Sequence, residues 1–223
     1  MLIIFDLDDT LIDTSGCITP FKLQMALKKM VDLGLEVNDF EGAHAHLKKL
    51  DAASQSSQET LFKFLESVGA EPSSFLEEAL IEMKTILPSE FSISTLEGAG
   101  DVLRELRRDH QLALVTIGNR SLQLQKIAQA KIDPSLFSRL VIVEKGGKKD
   151  HYQTLMRELN VFPESVIVCG DRIAIDLTPA KELGLKTVHM RWGRGLNSKE
   201  PKSDVDYSIS RLNEMNQIVK GLL

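Results

Sequence analysis

Residues 1–13 read MLIIFDLDDTLID, and the rest of the chain is arranged around them. Leu2, Ile3, Ile4 and Phe5 form an unbroken apolar run, and Asp6, Asp8 and Asp9 follow at once. A continuous apolar run ending in polar residues marks a strand buried on both faces of a covered parallel sheet. Ligands gather at the carboxyl ends of such strands, where Asp6 and Asp8 emerge. Carboxylates crowded at one strand tip repel one another unless a cation offsets them. The stretch therefore asks for a metal ion, with the remaining ligands supplied from later in the chain.

Outward from Asp13 the apolar spacing changes from strand to helix period. Thr19-Pro20 predicts an N-cap with proline at the first helical position, and Leu23, Leu27, Met30 and Val31 line one face before Gly34. Residues 38–50 form a weaker helical candidate, and Leu61, Leu65 and Val68 a further short stripe. Ser74 and Glu77 match a capping box ahead of Leu76, Leu80, Met83 and Leu87, with Pro88 as the stop. From Gly98 onward, helical segments alternate with short apolar runs at 112–117, 140–143, 165–169 and 187–190, and 207–209 suits a last edge strand. That alternation predicts right-handed βαβ units. The expected fold is an α/β, doubly wound, Rossmann-like parallel-sheet core over residues 1–13 and 93–223. A helical domain over residues 14–92 is inserted after the first strand.

Composition narrows the function classes. The chain has 223 residues, a net charge of −5 and only two cysteines, Cys17 and Cys169. An acidic balance argues against nucleic acid as a partner. Two cysteines make no disulfide framework and suit a reducing compartment. No basic leader precedes the first acids, and no apolar run approaches the ~20 residues of a membrane span. A cytoplasmic protein without a membrane partner is expected. The acidity is local: residues 14–95 hold 7 Lys, no Arg and 12 Asp plus Glu, while the remainder holds 20 charges of each sign.

Comparing strand tips brings the chemistry together. Asp6 and Asp8 follow the first strand, and Thr116 closes the second. Lys148 and Lys149 come shortly after the third, and Gly170-Asp171 with Asp176 follow the fourth. In a parallel sheet all of these rise on one edge. Carboxylates, a hydroxyl and an ammonium suit a Mg²⁺-assisted reaction at phosphorus, with hard oxygen ligands for the ion and donors for a phosphoryl group.

In order and context these residues resemble the haloacid dehalogenase (HAD) superfamily, in its phosphatase branch with a helical cap after the first strand. Asp6-Leu7-Asp8-Asp9-Thr10 matches DxDxT, Thr116 the second motif, Lys149 the third, and Gly170-Asp171…Asp176 matches GDxxxxD. The resemblance implies a Mg²⁺-dependent phosphomonoester hydrolase acting on a small phosphorylated metabolite. Asp6 is then the nucleophile that becomes an aspartyl phosphate. Asp8 is the acid for the leaving alcohol and the base for the hydrolytic water, with a raised pKa expected in the substrate complex. Mg²⁺ is held by the Asp6 carboxylate, the Asp8 backbone carbonyl and Asp171, with Asp176 supporting through water. Thr116 and Lys149 bind phosphoryl oxygens.

Two positions depart from the pattern. Asp9 stands where many members have Gly, and the third motif lacks its common Lys-Pro, leaving Lys145, Lys148 and Lys149 as candidates. Lys149 is favoured because Asp150-His151-Tyr152 then opens the helix as in similar members. A phosphomutase is the main alternative. A 2-haloacid dehalogenase has no alcohol to protonate, so Asp8 argues against it, and a catalytically silent scaffold would not need every acid. His44 and His46, two apart on a helix, do not share a face for zinc.

Overall fold

Strand β1 (Leu2–Phe5) lies inside a parallel sheet whose strand order is β3-β2-β1-β4-β5-β6. The computed structural model describes residues 1–197 and 202–222. The other strands are β2 (Gln111–Ile117), β3 (Arg139–Val143), β4 (Val166–Gly170), β5 (Lys186–Met190) and β6 (Tyr207–Ile209). β1 pairs with β2 on one side (Phe5 opposite Leu114) and with β4 on the other (Phe5 opposite Cys169). The chain thus builds outward on one side of β1 and then on the other, and the switch falls at the carboxyl end of β1. That crevice is where doubly wound sheets bind ligands.

The reason for this placement is apolar burial on both faces. Every residue of β1 and β4 is buried, as are Leu112–Thr116 of β2. Leu2, Ile4, Ala113, Val115 and Val168 share one core with Tyr152 and other helix residues. Alternate strand residues point to opposite faces, so only an unbroken apolar run fills such a strand. The first compact unit, Met1–Thr14 with Leu87–Leu223, also contains α5 (Ala99–Leu106), α6 (Arg120–Gln129), α7 (Lys149–Leu159), α8 (Thr178–Lys181) and α9 (Glu214–Gly221). The closing helix α9 has no counterpart in the sequence reading.

Ser15–Ile86 forms the second compact unit. It contains α1 (Thr19–Asp32), α2 (Phe40–Ala52), α3 (Ser57–Ser67) and α4 (Leu76–Met83), which share a core that includes Leu23, Leu27, Leu47, Leu61 and Phe64. Two expected helix starts differ. A π-helical turn over Thr14–Ile18 runs directly into α1, so Ile18 at the cap position is already helical and Thr19 makes no cap. A cap close to the capping-box pattern forms at Ser56 and Glu59, not at Ser74 and Glu77. Ser56 accepts from the Glu59 N–H, and Glu59 reaches back to the Gln55 N–H at 2.6 Å. Pro72–Ser74 instead form a 3₁₀ turn, which leaves Phe75 at the start of α4.

Helix α4 also ends early, at Met83 instead of running to Pro88. Thr85 Oγ1 donates to the Glu82 carbonyl, and Lys22 Nζ donates to both Thr85 oxygens. A side chain that bonds the last turn competes with continuing the helix. Leu87 belongs to the first unit, where its backbone N–H and C=O are both bound by the Gln125 side-chain amide.

Candidate active site

Immediately beyond β1 the Asp6 backbone N–H donates to the Cys169 carbonyl at 2.9 Å, which holds the tips of β1 and β4 together. The chain then turns back, with the N–H groups of Leu11 and Ile12 both donating to the Leu7 carbonyl. The turn forces Asp9 to φ +54°, in the left-handed region. Gly, Asn and Asp visit that region most readily, so the conformation accounts for an aspartate standing where glycine is common. Asp9 is itself buried.

Asp6, Asp171 and Asp176 converge, each offering an oxygen within 4.8 Å of the others, and all three are buried. At Gly170 a Cβ atom would sit 2.6 Å from the Asp176 side chain, so only glycine lets Asp176 approach the end of β4. Asp176 Oδ2 accepts from the Arg172 N–H at 2.9 Å. His189 on β5 lies with Nε2 3.0 Å from the Asp171 carbonyl, fixing that backbone from the next strand.

One ammonium serves this group. Lys148, 1% exposed, donates to Asp6 Oδ1 at 2.5 Å and to Asp176 Oδ1 at 2.6 Å. Lys149, the residue favoured from sequence, is displaced from the site: its Nζ pairs with Glu182 at 2.6 Å, on a half-exposed surface. α7 begins at Lys149, and neighbouring residues at a helix start point about 100° apart. Only one lysine can face the strand tips, and that one is Lys148.

The electrostatics follow from burial. Desolvation pushes the Asp6 carboxyl up to about 7; Lys148 opposes the rise, while Asp176 and Asp8 add to it. Asp171 is raised well above the carboxylate range by burial first, then by Asp176, Asp6 and Asp9, with Arg172 opposing. Burial disfavours charge on Lys148, but Asp176 and Asp6 outweigh it and hold the ammonium protonated. Cys169, behind the cluster, is held as a thiol by burial and by the same acids. With all three carboxylates ionised, their charge exceeds what the Lys148 ammonium and the nearby Arg172 offset. Their donors are all oxygens, the set preferred by Mg²⁺ and similar hard cations. A divalent metal therefore fits these residues.

Asp8 faces elsewhere, and its carboxylate is not among the three. Lys126 Nζ donates to Asp8 Oδ1 at 2.7 Å, Gln123 Nε2 to Oδ2 at 2.9 Å, and Thr14 Oγ1 to Oδ1. Burial works against its ionisation, but the Lys126 charge and these hydrogen bonds prevail and hold Asp8 below the usual carboxylate range. This is opposite in direction to the rise expected for the substrate complex, and Lys126 is the reason. Thr116, 1% exposed, stands one strand over and accepts from Gln123 Nε2.

Gln123 and Lys126 were not singled out from the sequence. A signal existed: they lie three apart on α6, on one helical face directly behind the tip of β2. Among the other polar candidates, buried His44 bonds the Pro20 carbonyl, and His46 packs edge-on against Phe64. Trp192 Nε1 donates to Asp13 at 2.8 Å, tying the loop after β5 to the end of the DxDxT turn.

The family model for haloacid dehalogenase-like hydrolases matches residues 3–190. A glyceraldehyde 3-phosphate phosphatase of Pyrococcus furiosus is 28% identical over 98% of this chain and 92% of its own length. Among solved structures, a predicted phosphoglycolate phosphatase from Haemophilus somnus superposes with a TM-score of 0.74 at 18% identity, covering 98% of this chain and 97% of its own. YfnB from Bacillus subtilis, solved bound to magnesium, reaches 0.66 at 18% identity with the same coverage. Among the described residues no helix is long and apolar enough to cross a membrane.

Proposed function

The chain belongs to the family of haloacid dehalogenase-like hydrolases, and from that premise we propose that it is a phosphatase hydrolysing small phosphomonoesters through an aspartyl phosphate on Asp6. The observation that carries this reading is the buried Asp6 carboxylate, bonded to Lys148 and within one ion's reach of Asp171 and Asp176. The Pyrococcus furiosus relative is named for glyceraldehyde 3-phosphate, which makes that triose phosphate the first substrate to test.

The chemistry divides among named groups. Asp6 attacks phosphorus in line, its new O–P bond forming as the ester P–O bond breaks. Asp8, once protonated in the substrate complex, gives its proton to the departing alkoxide. Asp8 then takes a proton from water as that water attacks the phosphoenzyme; the P–O bond to Asp6 breaks and inorganic phosphate leaves. Lys148 takes the phosphoryl-binding role for which Lys149 was favoured from sequence, and Thr116 donates its hydroxyl to a second oxygen. A bound Mg²⁺, held by the Asp6 and Asp171 carboxylates and the Asp8 backbone carbonyl with Asp176 behind them, would neutralise phosphoryl charge and keep Asp6 ionised.

The test is phosphate release from a panel containing glyceraldehyde 3-phosphate and an aryl phosphate, with magnesium and with excess chelator. Magnesium-dependent release that disappears in Asp6→Asn is the expected result. Undiminished turnover by Asp6→Asn, or full activity in chelator, would remove the nucleophile or the metal from the proposal.

A further inference from the structure

α6 begins just beyond the tip of β2 and sends two polar side chains back to the strand tips. It is capped by Asn119, whose side chain accepts from the Leu122 N–H. Gln123 is 1% exposed and Lys126 8%, although both residue types ordinarily face water. Burying an amide and an ammonium is costly unless each finds a partner. Both find Asp8, across 115 and 118 residues of sequence.

We propose that Gln123 and Lys126 are positioning residues for phosphoryl transfer: they aim the Asp8 carboxylate and set which way the Thr116 hydroxyl donates. This rests on the roles proposed above for Asp8 and Thr116. Lys126 binds Oδ1 and Gln123 binds Oδ2, so the carboxylate is held at both oxygens and its plane is fixed. Gln123 Nε2 contacts Asp8 and Thr116 Oγ1 together, which occupies both of its hydrogens. Turning the amide over would set its carbonyl against a carboxylate, so Asp8 fixes the amide orientation. Thr116 therefore accepts from Gln123, and its own proton is left to donate to an incoming phosphoryl oxygen. Room for this is local: a Cβ at Gly118 would lie 3.1–3.3 Å from Gln123 side-chain atoms.

A merely structural tie between α6 and β1 would affect every substrate alike, whereas a positioning role depends on the leaving group. In magnesium-loaded protein, kcat/KM is measured for an alkyl monophosphate, whose leaving oxygen needs a proton, and for 4-nitrophenyl phosphate, whose leaving oxygen does not. Removing the Lys126 charge makes Asp8 easier to protonate, so a loss reads aim alone: Lys126→Met is expected to lower the first by about 10²-fold, the low end for general acid catalysis, and the second by under about threefold. Lys126→Arg should recover most of the loss. Gln123→Leu, which disturbs Thr116 as well, should lower both substrates.

Equal loss on both substrates, or none on either, in Lys126→Met overturns the inference. Should that variant not fold, Lys126→Gln, which keeps a hydrogen-bond donor without the charge, is read by the same two ratios. Asp8→Asn tells the acid role of Asp8 apart from its positioning by Lys126. If it shows the leaving-group-dependent loss and Lys126→Met does not, only the positioning role falls. If the wild-type protein releases no phosphate from either ester, the hydrolase reading itself falls.

Discussion

Replacing Lys148 by Met removes the ammonium and keeps a stem of similar length, so the packing beside Tyr152 is largely preserved. Asp6 and Asp176 then lose contacts of 2.5 and 2.6 Å at a residue 1% exposed. Breaking a buried pair by removing one partner costs about 3–5 kcal/mol when the other charge persists. Here the cost depends on pH, because the acid has an alternative. Asp6 already titrates near 7 with Lys148 opposing the rise. Without that opposition its pKa climbs further, and a proton replaces the lost cation at low pH. A folded-state carboxyl pKa above the unfolded one contributes stability in the protonated form, lost as pH rises from the unfolded value near 4 through the folded value. In metal-free protein Lys148→Met should thus lose about 3 kcal/mol or more at pH 8 and markedly less at pH 5.5. Urea unfolding is followed by Trp192, the single tryptophan, which lies in the unit that holds Lys148. Lys149→Met is the control: its partner Glu182 is half exposed, and such a solvent-screened pair contributes about 0–1 kcal/mol. Equal losses in the two lysine variants, or a Lys148→Met loss independent of pH, would refute the electrostatic account.

Three further outcomes follow from the same geometry. Metal-free protein should lose thermal stability as pH rises from about 4 through about 7, because folding raises the Asp6 pKa; the midpoint shift on adding magnesium should be larger at pH 8 than at pH 5.5, and equal shifts would count against the carboxylate cluster as the ion site. Asp6→Asn removes one of three crowded acids, so without metal it should melt no lower than wild type at pH 8 while abolishing phosphate release; a large drop in melting temperature would show that the carboxylate is needed for folding. Gly170→Ala should cost about 1–3 kcal/mol by overpacking against Asp176, measured by urea unfolding, and a neutral result would mean that the end of β4 yields more than its contacts imply.

Much of the core could be read from residue order because its signal is simple. Leu2–Phe5 is apolar without a gap and completely buried, and the runs at 112–117 and 165–169 correspond to β2 and β4 within a residue or two. Elsewhere spacing was ambiguous. Leu76, Leu80, Met83 and Leu87 keep helical spacing, yet Leu87 belongs to a different compact unit, which no periodicity encodes. Lys148 and Lys149 differ by a single step at a helix start, where boundaries are least determined by pattern. Gln123 and Lys126 went unnoticed because polar residues on an amphipathic helix read as its wet face, and only the fold reveals Asp8 waiting there.

The central position of β1 has a consequence for biosynthesis. Phe5 is translated long before its neighbours Leu114 and Cys169, and the whole of Ser15–Ile86 emerges from the ribosome in between. The most hydrophobic strand of the sheet is therefore the earliest made and among the last to find partners on both edges, a high-contact-order arrangement that folds slowly. Until Val166–Gly170 has been synthesised, LIIF remains a sticky, half-paired segment guarded only by the aspartates that follow it. Asp6, Asp8 and Asp9 thus stand at the flank of an exposed hydrophobic strand, the place where sequences commonly carry gatekeeper charges.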